Sequence, residues 1–247
     1  MPQTPLSQDQ IQALSAGAAF LAAYLLAAVA IWLAGRMLHA RVSPFTMGIR
    51  HWPGWAPLSR TWGLVLAVGY PYAMVLTGAF SAGDIGLTPV DWSAALPWIV
   101  TLSLSGALWI GLLWGAHRRR VPSEGPHLSW LATLADLLTN EGTAAVARGA
   151  LVPLAGTYWG IWLAPVAKML VARLSPHLMV RLGEPGRRET MYLGWALDWF
   201  AAVVYAFGGG VWGALIARLL GRVAAGMAMR LAARRPPAPS TSAASTR

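Results

Sequence analysis

The sequence predicts an all-α fold, a polytopic transmembrane helical bundle of about seven spans. Two observations carry that prediction. Of the 247 residues, 56% are hydrophobic and only 11% are charged, whereas soluble domains carry about a quarter of their residues as charges. The chain therefore lacks the polar surface needed to cover a water-soluble globule. The apolar residues also fall in long uncharged runs, Gln12 to Gly35, Thr61 to Gly83 and Ser93 to Ala116. Each exceeds the roughly 18 residues that mark a membrane-spanning helix.

The first span is expected at about 14–34. No basic segment precedes it and no small-residue cleavage pattern clearly ends it, which favours a retained helix over a cleaved signal peptide. Spans at about 61–81 and 95–116 follow. The loop between the first two holds Arg36, Arg41, Arg50 and Arg60, and Trp52 and Trp55 suit the bilayer interface. The next loop holds only Asp84 and Asp91, and the third span is followed by His117-Arg118-Arg119-Arg120. Residues 128–148 have a helical pattern but contain Asp136, Asn140, Glu141 and Arg148. Residues 149–167 form another uncharged run. In 190–232, Gly208-Gly209-Gly210 interrupts the pattern, and at about 1 kcal/mol per glycine a turn between two helices is favoured.

Charge placement sets the number of crossings. With seven crossings and the N-terminus outside, every one of the 19 basic residues except Arg148 and Arg218 falls on the cytoplasmic side, as positive-inside topology requires. Laying 128–148 on the surface would send the Lys168 to Arg188 group outside. Reading 190–217 as one crossing would send the tail arginines outside. The expected location is a bacterial-type inner membrane, with residues 1–233 as the bundle and the C-terminus cytoplasmic. The segment 234–247, rich in Pro, Ser, Thr and Ala, is expected to be a disordered tail. The formal charge of +10 then reflects loops held against anionic lipid rather than contact with nucleic acid.

With no cysteine, disulfides, iron–sulfur clusters, thiolate zinc sites and covalently attached haem are excluded. His39, His51, His117, His127 and His177 all fall in predicted cytoplasmic loops, away from the acids in the spans. A haem with two axial imidazoles or a His-ligated zinc is therefore not expected, and His117 and His127 read as part of a solvated basic loop. The sequence has no HExxH, GxSxG, Walker A or Rossmann fingerprint. No cofactor or metal is expected.

Asp136, Glu141, Arg148, Asp198 and Arg218 remain inside predicted spans. Each costs roughly 2.5–3.5 kcal/mol at a helix centre on insertion scales, so such residues face the bundle interior and pair. At about 1.5 Å per residue, Glu141, Asp198 and Arg218 reach similar depths below the outer surface. Asp198 and Arg218 flank the glycine turn, as an antiparallel hairpin pair would. Glu141 and Arg148 lie two helical turns apart on one face, with Ala144 and Ala145 between them allowing close helix approach. Two roles fit these charges: a structural ion cluster, or a polar active site open to the outer half of the membrane.

NEGTAAVARGALVPL, from Asn140, resembles the acidic motif EExxxRG on the fourth helix of the CPBP group, the CAAX proteases and bacteriocin-processing proteins, which are glutamic intramembrane proteases. FGGGVWGALIARLLGR resembles the group's late motif, with Gly210-Val211-Trp212 standing where GSLW would. The resemblance covers about residues 128–225. It implies the family's helical bundle and makes Glu141 the candidate catalytic carboxylate. The spacing from Glu141 to Arg148-Gly149 is wider than the common motif. Arg218 stands in place of the last catalytic histidine and Arg222 in place of an asparagine. The fifth span has no histidine. A guanidinium stays protonated at any working pH, whereas acid–base catalysis needs a group titrating near neutrality. The resemblance thus implies the fold together with a degenerate, inactive site, in which Arg148 lies near the outer mouth and the remaining role is to bind a membrane peptide or protein partner. Proteolysis by Glu141, helped by Asp136 or Asp198, and a role as a transporter or a subunit of a membrane complex are the alternatives.

Overall fold

The computed structural model describes residues 6–40, 55–118, 130–174, 182–183, 185–208 and 210–233. Among these residues every regular element is helical: α1 (Gln8–Ala40), α2 (Trp55–Leu76), α3 (Ala82–Ile85), α4 (Trp92–Arg118), α5 (Trp130–Leu174), α6 (Pro185–Gly208) and α7 (Gly210–Ala233). The tail expected at 234–247 and most of the basic loops lie outside the described residues. Five stretches are long and apolar enough to cross a membrane: Gln8–Ala27, Trp92–Ala116, Thr133–Leu174, Arg188–Phe207 and Gly210–Leu231. α2 adds a shorter apolar stretch, Leu64–Leu76. By helix length and composition this is a multi-pass membrane protein.

Local chemistry sets the ends of the elements. α2 stops at Leu76, short of the expected 81, because Gly78 takes a left-handed φ of 77°. The chain then turns Phe80 into the core, where it is 2% exposed. Ser81 caps α3, its hydroxyl accepting from the Gly83 N–H at 3.1 Å. Asp91 sits at the start of α4. Its Oδ1 accepts from the Ser93 hydroxyl at 2.6 Å and from the Ser93 and Ala94 N–H groups, which hold its carboxyl below the usual carboxylate range.

The largest departure from expectation is in α5. The sequence suggested a boundary near Arg148-Gly149, but the helix runs on to Gly156, whose φ of 79° and ψ of 163° are non-helical. The chain reverses there. A Cβ built on Gly160 would lie 2.6 Å from the Cα of Val152, and Lys168 Nζ donates to the Asn140 carbonyl at 3.1 Å. Those last two residues are 28 apart, about 42 Å along an unbroken helix. α5 is thus two antiparallel limbs joined at a glycine, the residue that adopts a positive φ without Cβ strain.

The core is built on small residues, as close helix contact within lipid requires. α4 and α7 run side by side, with the Cβ positions of Gly111 and Gly115 each 3.6 Å from the Cβ atoms of Ala224 and Ala228. α2 meets the first limb of α5 still more closely, since a Cβ on Gly142 would lie 1.9 Å from the Ala67 carbonyl oxygen. Ala13 and Ala16 of α1 join Phe80, Ile85, Ala145 and Val146 in one buried cluster. The outer faces are apolar: Trp98, Leu108, Trp109 and Leu112 of α4 are all more than half exposed, which suits contact with acyl chains.

Three connections and the start of α1 share one end of the bundle. Gln10 Nε2 donates to the Pro153 carbonyl at 2.8 Å, which ties the start of α1 to the α5 reversal. The Val211 N–H donates to the Gly86 carbonyl at 3.3 Å, which ties the start of α7 to the α2–α4 connection. Ile85 packs with Ala13 and joins the two groups.

Candidate functional site

Five charged side chains meet in the interior. Glu141 on the first limb of α5 accepts from Arg148 Nη2 at 2.5 Å through Oε1, and from Arg218 Nε at 2.9 Å through Oε2. Arg218, on α7, also donates through Nη1 to Asp198 Oδ1 of α6 at 2.5 Å. The same Asp198 oxygen accepts from Lys168 Nζ, on the second limb of α5, at 2.7 Å. The order is Arg148–Glu141–Arg218–Asp198–Lys168. Arg148 is 2% exposed, Glu141 3%, Arg218 3% and Asp198 6%.

Each contact follows from helix register. Glu141 and Arg148 share a face, and the long Arg148 side chain reaches back over Ala144 and Ala145, both buried. Asp198 and Arg218 face each other because α6 and α7 meet as a tight hairpin at Gly208 and Gly210. Lys168 reaches the cluster only because the second limb of α5 doubles back.

Arg148 is roofed over. Its guanidinium carbon lies 3.9 Å from the centroid of the Tyr205 ring, a cation–π contact, and the Tyr205 hydroxyl donates to the Asp84 carbonyl at 3.3 Å. The expected position near an outer mouth is therefore closed by an aromatic side chain. The Nε atom of Arg148 is buried and has no hydrogen-bond partner.

Asp136 and Arg222 are not part of this cluster. They pair with each other, through Asp136 Oδ2 and Arg222 Nη2, and their side chains are 43% and 21% exposed. The helix spacing explains the separation. Asp136 lies more than one turn before Glu141, and Arg222 one turn beyond Arg218, so the two pairs form successive rungs between α5 and α7.

The residues missed by the sequence reading are Lys168 and Tyr205. Lys168 falls in an inner loop when the limb boundary is read at 148–149. A boundary at Gly156 puts Lys168 inside a helix, but Gly149 and Gly160 lie in the same apolar run and the sequence does not choose among them. Nothing in the sequence distinguishes Tyr205 from the apolar residues around it.

Between α2, the first limb of α5 and α7 lies a cavity of about 230 Å³. Val68, Tyr72, Ala145, Val211 and Leu215 line its apolar walls, and Glu141 is its one charged lining residue. Val68 and Tyr72 are 45% and 58% exposed, so the mouth lies on the lipid-facing side.

The cluster's chemistry is constrained. Both Glu141 oxygens are engaged by guanidinium groups, which cannot be deprotonated in proteins. The two carboxylates are separated by Arg218, so no direct path carries a proton from one to the other. No group of three or more metal-ligating side chains occurs among the described residues. Compared with known protein families, characterised proteins and solved structures, the chain matches none.

Proposed function

We propose that this protein is a seven-span membrane bundle related to the CPBP glutamic intramembrane proteases, with a site that no longer hydrolyses peptides and a role in binding a membrane peptide or protein. The observation carrying the inactive reading is that both oxygens of Glu141 are bonded to arginines, at 2.5 and 2.9 Å. A catalytic carboxylate must take a proton from water and pass it to a group titrating near neutrality. Here its neighbours are permanently charged donors. Asp198 is held by Lys168 and Arg218, and Asp136 by Arg222, so neither is a free partner for Glu141.

The seven crossings are supported by the reversal at Gly156, which lets the 42-residue apolar stretch Thr133–Leu174 cross twice. Its second limb, residues 157–174, is about 27 Å long, close to the roughly 30 Å hydrocarbon core. With α2 as a further span, the count is seven. The placement of Asp84 and Asp91 at one end and of Arg173 and Arg230 in the last turns of α5 and α7 supports an outside N-terminus in an inner membrane.

The test is cleavage. The wild-type protein, reconstituted in proteoliposomes with a panel of fluorogenic transmembrane peptides, is expected to cleave none of them. Turnover that disappears in Glu141→Gln would overturn the inactive assignment and reinstate a protease.

A further inference from the structure

We propose that Lys168 is a proton-binding site inside the membrane, an amine that takes up and releases one proton in the physiological pH range while the rest of the ion cluster keeps its charges. Three observations converge on this site. The first is charge. Arg148 and Arg218 are balanced by Glu141 and Asp198, two cations against two carboxylates, and a charged Lys168 is a third cation. Uncompensated charge is costly in a low-dielectric interior. Guanidinium groups keep their protons. Lys168 is therefore the one cation of the cluster that can remove the surplus by releasing its own.

The second observation is hydrogen bonding. Lys168 Nζ donates to Asp198 Oδ1 at 2.7 Å and to the Asn140 carbonyl at 3.1 Å. Among the described residues it has no third acceptor. An ammonium carries three N–H donors, and a neutral amine carries two. The neutral form keeps both bonds, whereas the charged form leaves one hydrogen without a protein acceptor. Release of the proton therefore requires no movement of the helices. The third observation is the choice of residue. Lysine and arginine together number 19, and Lys168 is the only lysine. Lysine is the one of the two that gives up its proton when buried, and it stands where the surplus charge falls.

The charged groups around Lys168 are Asp198 of α6, Arg218 of α7 and Glu141 of the first limb of α5. Asp136, one turn before Asn140, is engaged by Arg222. The Lys168 side chain is 15% exposed, against 3–6% for the other four members of the cluster, so protons enter and leave at this end. It lies twelve residues beyond Gly156, about 18 Å along the second limb, which is within the hydrocarbon core if the limb spans the bilayer. Asp198 and Arg218 separate it from Glu141, so its proton does not restore hydrolysis there. The inference needs the buried cluster and is independent of kinship to proteases.

The experiment is NMR of the full chain in phosphatidylcholine nanodiscs, with the lysine Nζ isotopically labelled. A single lysine gives a single side-chain signal. It is expected to pass from ammonium to amine between about pH 6 and pH 9, whereas a free lysine does so near pH 10.4. An ammonium that persists to about pH 10 would make Lys168 a fixed cation and overturn the proposal. An amine that persists down to about pH 5 would overturn it as well, because no proton is then exchanged. Arg218→Met removes one neighbouring cation and should raise the midpoint by about 1–3 pH units; an unmoved midpoint would refute the charge-balance argument. Should Arg218→Met fail to fold, Lys168→Met decides. In the wild type the unfolded state holds the proton that the folded state has released, so stability rises with pH between about 8 and 10. Lys168→Met should lose that rise, and an equal rise in both proteins would overturn the proposal.

Discussion

Replacing Glu141 with glutamine keeps the shape of the side chain and removes its charge. Two guanidinium groups, at 2.5 and 2.9 Å, then lose their shared carboxylate. Arg148 and Arg218 are 2% and 3% exposed, so water cannot replace it. Breaking a buried ion pair by removing one partner costs about 3–5 kcal/mol. That is a large share of the roughly 5–15 kcal/mol that holds a typical domain folded. Asp136→Asn provides the comparison: its pair with Arg222 is 43% and 21% exposed, and such a pair contributes about 0–1 kcal/mol after solvent screening. Equilibrium unfolding in mixed micelles should therefore separate the two variants by several kcal/mol. A triple variant, Glu141→Leu with Arg148→Met and Arg218→Met, leaves the balanced Lys168–Asp198 pair and replaces the remaining charges with hydrocarbon. Such replacements are often neutral or stabilising, so the triple variant should recover most of the loss. A Glu141→Gln protein as stable as wild type would refute the buried cluster. A triple variant as unstable as the single one would show that its charges do more than balance each other.

Other consequences of the geometry are open to measurement. Gly142→Val would drive a side chain into the Ala67 carbonyl, 1.9 Å from the Cβ position; overpacking of this kind costs about 1–3 kcal/mol, read as a lower unfolding midpoint and weakened α2–α5 cross-linking. Gly156→Ala would place a Cβ at φ 79°, a conformation costing about 1–3 kcal/mol for a non-glycine residue, although the surrounding space is open; a melting temperature unchanged from wild type would argue against the reversal. Because the chain has no cysteine, single cysteines report topology cleanly: those at Asp84 and Asp9 should label from one side of the membrane and one at Arg230 from the other, whereas labelling of all three from one side would eliminate the seven-crossing arrangement. The Asp91 carboxyl is held low by the Ser93 hydroxyl and by the Ala94 and Ser93 N–H groups, so its cap is in place above the ordinary carboxylate range and is lost as pH falls through the depressed value. Amide exchange in the first turn of α4 should accelerate on that acid side, and Ser93→Ala should move the onset to higher pH.

The helical class of the fold and its membrane character were legible in the sequence, because both depend on local quantities. An uncharged run long enough to cross a bilayer is visible as such, and so is a glycine triplet that separates two helices. The charges that would have to pair, Glu141, Arg148, Asp198 and Arg218, were also identifiable, since a charge within an apolar run is conspicuous. The limb boundary in α5 was not. Residues 149–155 are as apolar as the segments beside them, and the turn depends on one glycine whose positive φ cannot be read from its identity. That single misplacement hid Lys168, because a residue's distance from a buried carboxylate depends on where the chain doubles back. Tertiary packing also decided that Asp136 and Arg222 form a separate, more exposed rung, that Tyr205 closes over Arg148, and that an apolar cavity ends beside Glu141. Sequence alone determined which groups are too costly to leave unpaired in lipid; only the packed helices determined which partner each one found, since pairing energy acts through space and not along the chain.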